Sequence, residues 1–259
     1  MSTDKKSIAW RHNHILSRLH QESEIRMTDL CKSLDVSPVT IRKDVRLLEE
    51  KKLLFHTHGS ISLTDPYLTQ DLNVIEKESI MMDEKLRIAQ KAAMLVNDND
   101  AIIVASGTTV LFLAKLLDAN KHLTAITPSL NISLALCNNP NIEVIQLGGI
   151  VRKTSTSVNG PFLRQMLSQF SCSKLFLGVD GIDLAHGCTT SSIMEANANQ
   201  YMMEAAQRTV ILTDSSKFGK RGLGRICHFN KVHQIITDDK VHEKYVKDLE
   251  EMGVEVTIV

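Results

Sequence analysis

The feature that most constrains this chain is a regular alternation across its last two thirds. Short apolar runs stand at 101–105, 123–127, 143–147, 175–179, 209–213 and 234–237, with a further candidate at 254–259. Each reads as a buried strand. Helical stretches lie between most of them, at 110–117, 132–136, 162–169 and 193–206, with another at about 83–96 ahead of the first strand. Strands alternating with helices imply a mostly parallel sheet with helices on both faces. No internal repeat or low-complexity segment interrupts the pattern.

In such sheets ligands bind in the loops after the carboxyl ends of strands. The first strand is followed by Ser106-Gly107-Thr108-Thr109 and then a helix. Small residues let the backbone approach an anion, hydroxyls add donors, and a helix N-terminus offers free N–H groups. Pro128-Ser129 follows the second strand. Gly148-Gly149 follows the third, with Arg152 and Lys153 close behind. Asp180 and Asp183 follow the fourth, then Thr189-Thr190 and Glu195. Lys217 lies in the loop after the fifth. Together these loops suit a small phosphorylated sugar or polyol, with hydroxyls, amides and cations for the phosphate and carboxylates for the sugar hydroxyls. Each motif alone has a plainer reading, as a turn, a helix cap or a backbone shape. The same polar groups would also suit an aldose-ketose isomerase, with a carboxylate moving a proton beside a stabilising lysine.

The first sixty residues follow a different pattern. Ile8, Ile15, Leu16 and Leu19 recur at helical spacing, and Met27, Leu30, Cys31 and Leu34 share the face of a second short helix. Ser37-Pro38 then opens a third: serine caps helix N-termini, and proline fits the first turn, where its missing N–H is not needed. Ile41, Val45 and Leu48 turn inward, leaving Thr40, Arg42, Lys43 and Arg46 on the other face. Two short helices joined by a tight turn, the second with a basic outer face, form a helix-turn-helix. Ser37, Val39, Thr40 and Lys43 would sit nearest base edges, with Arg42 and Arg46 reaching bases or phosphates. The segments 53–55 and 61–63 flank His56-Thr57-His58-Gly59 as a two-stranded wing whose tip meets the DNA backbone. Thr28, His56 and His58 complete the candidate DNA-binding set. A three-helix domain with a merely solvated basic face would show the same pattern.

Composition narrows the class. The net charge is zero, but residues 1–60 carry 11 basic and 8 acidic side chains, and the remainder carries the opposite small imbalance. No run of eighteen apolar residues suggests a membrane span, and 1–7 lacks the apolar core of a signal peptide. Five dispersed cysteines argue against a disulfide framework or a cysteine-rich zinc site. A cytoplasmic protein without metal or cofactor is expected.

The run from Thr28 to Glu49, followed by Leu53-Leu54 and His58-Gly59, resembles the DeoR family of bacterial sugar-metabolism regulators. The pieces at Gly107-Thr108-Thr109, 146–152, 180–183, 187–190, Glu195-Ala196 and 214–219 are similar to that family's sensor domain in the same order. The resemblance implies a winged helix-turn-helix domain at 1–63, a linker at 64–82, and an α/β effector-sensing and oligomerisation domain at 83–259, similar to ribose-5-phosphate isomerase-like folds. It implies a non-enzymatic repressor that binds double-stranded operator DNA as a homo-oligomer (dimer or tetramer) and senses a phosphorylated sugar or sugar alcohol. Ser60 stands where the family often has a second glycine. Pro128 replaces the usual asparagine of the second loop, and Asn199 a common lysine. These departures leave open a sensor that serves only for oligomerisation.

Overall fold

A computed structural model describes residues 7–22, 24–51, 53–57, 59–62, 69, 71–118 and 120–259. The chain divides into two compact units, Met1–Leu68 and Thr69–Val259.

The first unit is built from helices α1 (Ile8–Gln21), α2 (Met27–Leu34) and α3 (Pro38–Glu50) and strands β1 (Glu24–Arg26), β2 (Phe55–Thr57) and β3 (Ser60–Ser62). Ser7 caps α1 by accepting a hydrogen bond from the Trp10 N–H. Helix α2 ends where Asp35 enters the left-handed region at φ 50°, which turns the chain sharply toward α3. Ser37 caps α3 by accepting from the Thr40 N–H, with Pro38 in the first turn. Ile15, Leu19, Leu30, Leu34, Ile41, Val45 and Leu48 from the helices pack on Ile25, Leu54 and Ile61. The three strands form one antiparallel sheet in the order β1-β3-β2. Sequence reading expected a two-stranded wing. Strand β1 went unseen because a three-residue strand with one apolar side chain has no periodicity to detect; its Ile25 is nevertheless fully buried opposite Ile61.

The second unit opens with α4 (Val74–Glu78) and α5 (Met82–Ala93). It continues through β4 (Ala101–Val104), α6 (Thr108–Leu116), β5 (Leu123–Thr127), α7 (Leu130–Leu136) and β6 (Ile142–Gln146). A hairpin, β7 (Ile150–Arg152) and β8 (Ser157–Asn159), leads to α8 (Pro161–Leu167) and β9 (Cys172–Gly178). Then come β10 (Gly181–Asp183), β11 (Gly187–Thr190), α9 (Ile193–Glu204), β12 (Ala206–Leu212), β13 (Gly224–Cys227), β14 (Gln234–Thr237), α10 (Glu243–Glu251) and β15 (Glu255–Ile258). Seven strands form a parallel sheet in the order β15-β14-β12-β9-β4-β5-β6. All seven expected strands are present in it.

Alternation along the strands divides the core in two. Ile102 and Val104 of β4, Phe176 of β9 and Val210 and Leu212 of β12 pack against α5, α6 and α7 through Ile88, Val110, Leu113 and Ile132. Ile103, Leu175, Leu177 and Ile211 face the other way, toward Leu163, Ala196, Met202 and Leu249 of α8, α9 and α10. Both faces are therefore covered, as a parallel sheet requires.

The chain runs outward from β4 through β5 to β6, then returns to the other side of β4 to lay down β9. The order reverses between these two central strands, and a crevice opens beyond their carboxyl ends. Two additions escaped the sequence reading: the β7–β8 hairpin and the small antiparallel sheet β10-β11-β13. Residues 69–82, read from sequence as part of a linker, fold with the second unit; the Thr69 N–H donates to Arg221 O and the Val74 N–H to Thr154 O.

Candidate functional site

In the first unit, α3 presents the candidate DNA-reading face. Its inward positions are Ile41, Asp44, Val45 and Leu48. Asp44 was not expected inside. It is buried because Arg11 of α1 meets it in a two-pronged pair, Nε to Oδ2 at 2.6 Å and Nη2 to Oδ1 at 3.0 Å. This pair fixes α3 against α1 and, by its hydrogen bonds, raises the Arg11 guanidinium further above its ordinary value. The outward positions are the sequence candidates: Ser37, Val39, Arg42, Lys43 and Arg46 are exposed, and Thr40 half-buried. Val39 is 73% exposed at the start of the helix, an apolar side chain of the kind that can meet a thymine methyl. Among the described residues Arg46 pairs with Glu50, one turn on, at 3.1 Å and in full solvent. Such a pair contributes little and exchanges readily for a phosphate. Thr28 is exposed in the first turn of α2. The His56 N–H donates to Glu49 Oε1, while His58 lies outside the described residues.

In the second unit, the crevice between β4 and β9 forms a cleft of about 740 Å3, its open mouth included. Its walls bring together Ser106, Gly107, Thr108, Thr109, Arg152, Asp180, Thr190, Glu195 and Lys217 from the sequence candidates. Gly107 directly precedes α6 at φ +124°, a conformation that admits little but glycine, so the loop can turn its N–H groups toward the cleft. Asp180 Oδ1 accepts from Lys77 at 2.7 Å, and its Oδ2 accepts from the Thr190 hydroxyl and the Ser191 N–H. Burial acts to raise the Asp180 carboxyl, but Lys77 and these donors outweigh it and hold the group below its ordinary value. Arg152 pairs with Asp71 and reaches Glu195 at 3.5 Å.

Three lysines line the cleft, and sequence reading found only Lys217. Lys77 sits on α4. Lys85 sits on α5, 3% exposed, with its ammonium donating to Lys77 O. Burial, partly offset by Asp214 and reinforced by Lys217 and Lys77, pushes Lys85 down to about 8. Among the described residues, neither Lys85 nor Lys217 lies within ion-pair distance of a carboxylate. The sequence did carry a signal for Lys85: it falls on the same helical stripe as Ile88, Ala89 and Ala92, where a charge has no reason to be unless it is used. Asn199 also lines the cleft and is buried.

The other six effector candidates lie outside this lining, five of them with a structural occupation. Ser129 caps α7 by accepting from the Ile132 N–H. The Gly148 N–H points at the Met166 sulfur. A Cβ on Gly149 would stand 2.4 Å from Asn159 O, so this position serves the close approach of the β7–β8 hairpin. Lys153 is exposed in the turn of that hairpin. Asp183 accepts from the Ala185 and His186 N–H groups and pairs with Arg221. Thr189 is buried between Gly181 O and the Gly222 N–H. Sequence could place these six near strand ends; only the fold decides which side of a loop faces the crevice.

Among the described residues no cluster of three or more His, Cys, Asp or Glu side chains is placed to hold a metal ion. No described helix is long and apolar enough to cross a membrane. All five cysteines are free thiols.

Residues 11–66 match the DeoR-like helix-turn-helix domain, and residues 80–239 match the DeoR C terminal sensor domain. The chain belongs to the DeoR family. It is thus a helix-turn-helix transcription regulator of a non-enzymatic family, and the isomerase reading of the strand-end loops falls away. DeoR-family relatives align over nearly their whole length. The uncharacterised HTH-type transcriptional regulator YulB of Bacillus subtilis is 33% identical over 97% of both chains. The lactose phosphotransferase system repressor of Staphylococcus epidermidis is 31% identical over 92% of this chain and 94% of its own. The HTH-type transcriptional repressor GlcR of B. subtilis is 30% identical over 94% and 93%. Among solved structures, ribose 5-phosphate isomerase A from Methanocaldococcus jannaschii overlaps 53% of this chain and 55% of its own at a TM-score of 0.40 and 18% identity.

Proposed function

We propose that this DeoR-family regulator represses a sugar or sugar-alcohol utilisation operon, and that a phosphorylated sugar metabolite held in the cleft between β4 and β9 controls its grip on operator DNA. One observation carries the reading. The cleft at the strand-order reversal combines an approachable helix N-terminus at Gly107-Thr108-Thr109 with two lysines, Lys85 and Lys217, that pair with no carboxylate among the described residues. A phosphate dianion satisfies both features at once, and Arg152 of the same lining offers it a third cation. Asp180 and Glu195 then offer acceptors to sugar hydroxyls. The name of the lactose phosphotransferase system repressor fits a role in sugar metabolism.

On DNA, a homo-oligomer would set two α3 helices on half-sites one helical turn, or a multiple of it, apart. The effector acts by binding two arrangements of the protein with different affinity.

The test is a thermal-shift panel of sugar and sugar-alcohol phosphates on the full chain, followed by operator binding with and without each hit. A hit should stabilise the protein by mass action and change its operator affinity. Lys217→Ala should bind operator normally while losing the response. Stabilisation by none of the compounds would sink the reading in favour of a sensor used only for assembly.

A further inference from the structure

Residues 71–78 lie outside the stretch that matches the sensor domain, yet they supply part of the cleft wall. Leu72, Val74 and Lys77 line it. Asp71 pairs with Arg152 and accepts from the Ser191 hydroxyl at 3.0 Å. Lys77 donates to Asp180 at 2.7 Å. The backbone is pinned at the Val74 N–H to Thr154 O, 2.8 Å. Two charged side chains of one short segment thus hold the cation and the carboxylate that a phosphorylated polyol would need.

We infer that Asp71 and Lys77 belong to the effector site as internal stand-ins for the ligand, Asp71 occupying Arg152 in place of the phosphate and Lys77 occupying Asp180 in place of a sugar hydroxyl. Ligand binding and the docking of residues 71–78 then compete for the same two groups.

Energetics favour exchange first at Arg152. The Asp71–Arg152 pair is the more open of the two, with Asp71 43% and Arg152 20% exposed against 22% and 15% for Lys77 and Asp180. An exposed ion pair contributes little net stability, whereas a phosphate brings a second charge and three acceptor oxygens to the same guanidinium. The segment's apolar residues in the cleft lining are Leu72 and Val74. The segment also has a place in the sequence that gives its release a consequence: it begins three residues after Leu68, where the first unit ends. A ligand that frees residues 71–78 lengthens the tether to the DNA-reading unit, and with it the range of spacings the reading helices can adopt.

The inference rests on the effector reading of the cleft, but its test does not require the natural ligand. Inorganic phosphate is titrated against the full wild-type chain and Asp71→Asn. The variant should bind phosphate roughly two- to fivefold more tightly, the factor expected from removing a competing exposed pair. In parallel, amide exchange at 71–78 in the wild type should quicken as phosphate saturates the cleft. Equal or weaker binding by Asp71→Asn, no binding by either protein, or slowed exchange at 71–78 overturns the inference. The two readings fail separately. If the variant binds phosphate more tightly but no sugar phosphate alters operator affinity, the competition stands and the effector assignment falls. If sugar phosphates release operator DNA equally from both proteins, the effector assignment stands and the competition falls.

Discussion

Lys85 is a residue whose burial has a measurable sign. In the unfolded chain it titrates near its ordinary 10.5, and in the folded cleft near 8. Between those values the unfolded state binds more protons, so the stability linked to this residue rises with pH from about 8 to about 10.5. Below pH 8 the cost of holding a buried ammonium is fully present. Lys85→Met should therefore stabilise the protein at pH 7, by on the order of 1–3 kcal/mol, with the gain shrinking toward pH 10. It should also abolish phosphate binding. Urea unfolding at the two pH values and one titration check both. Asp44 behaves oppositely. Removing it in Asp44→Ala takes from Arg11 its two-pronged carboxylate partner in the core of the first unit, at a cost of about 3–5 kcal/mol, readable as a lowered unfolding midpoint. Neither role was legible from residue type. By type Asp44 is one more charge on a mixed helix, and its partner lies 33 positions away.

At the scale of elements, α3 was almost fully legible. Its cap, its first-turn proline and its inward stripe are local features, set within one or two turns of chain. Replacing Arg42 with alanine should weaken operator binding by about 1–3 kcal/mol if it pairs with a base. Replacing Lys43 should weaken binding evenly across sequences and reduce the salt slope by about one if it meets a phosphate. Fluorescence anisotropy over a salt series separates the two roles. The β7–β8 hairpin was illegible, because its strands are three residues each and pair from Ile150 against Asn159, with Gly149 just before them packed close on Asn159 O. Gly149→Ala should displace that hairpin at a cost on the order of 2 kcal/mol, and the loss should appear as faster amide exchange at 150–159. Of the strand-end loops, 106–109 and 180 reached the cleft, whereas 129 and 183 spend their polar groups on their own turns.

For the whole molecule, linkage ties the two units' activities together. If effector lowers operator affinity by some factor, operator must lower effector affinity by the same factor. Calorimetric titration of a hit with and without saturating operator should return matching ratios; a mismatch would mean that the two ligands do not act on one equilibrium. Low pH tests the second unit's charge pairs. Arg152 holds the Asp71 carboxyl below its ordinary value, and Lys77 with its neighbouring donors does the same for Asp180 against the opposing pull of burial. Their contribution is therefore fully present above about pH 4 and lost as pH falls through the lowered values. Exchange at 71–78 should quicken in that range before the sheet unfolds.

Sequence by itself determined the helix-turn-helix, all seven strands of the large sheet and the covering of both its faces. Those features follow from periodicity and capping, which act over a few neighbouring residues. Tertiary structure alone decided the strand order, the crevice where it reverses, and which polar side chains meet there. Lys77, Lys85, Arg152 and Asp180 are drawn from four separate stretches of chain. Their proximity depends on how the sheet closes between β4 and β9, and no local pattern encodes a contact between residues a hundred positions apart.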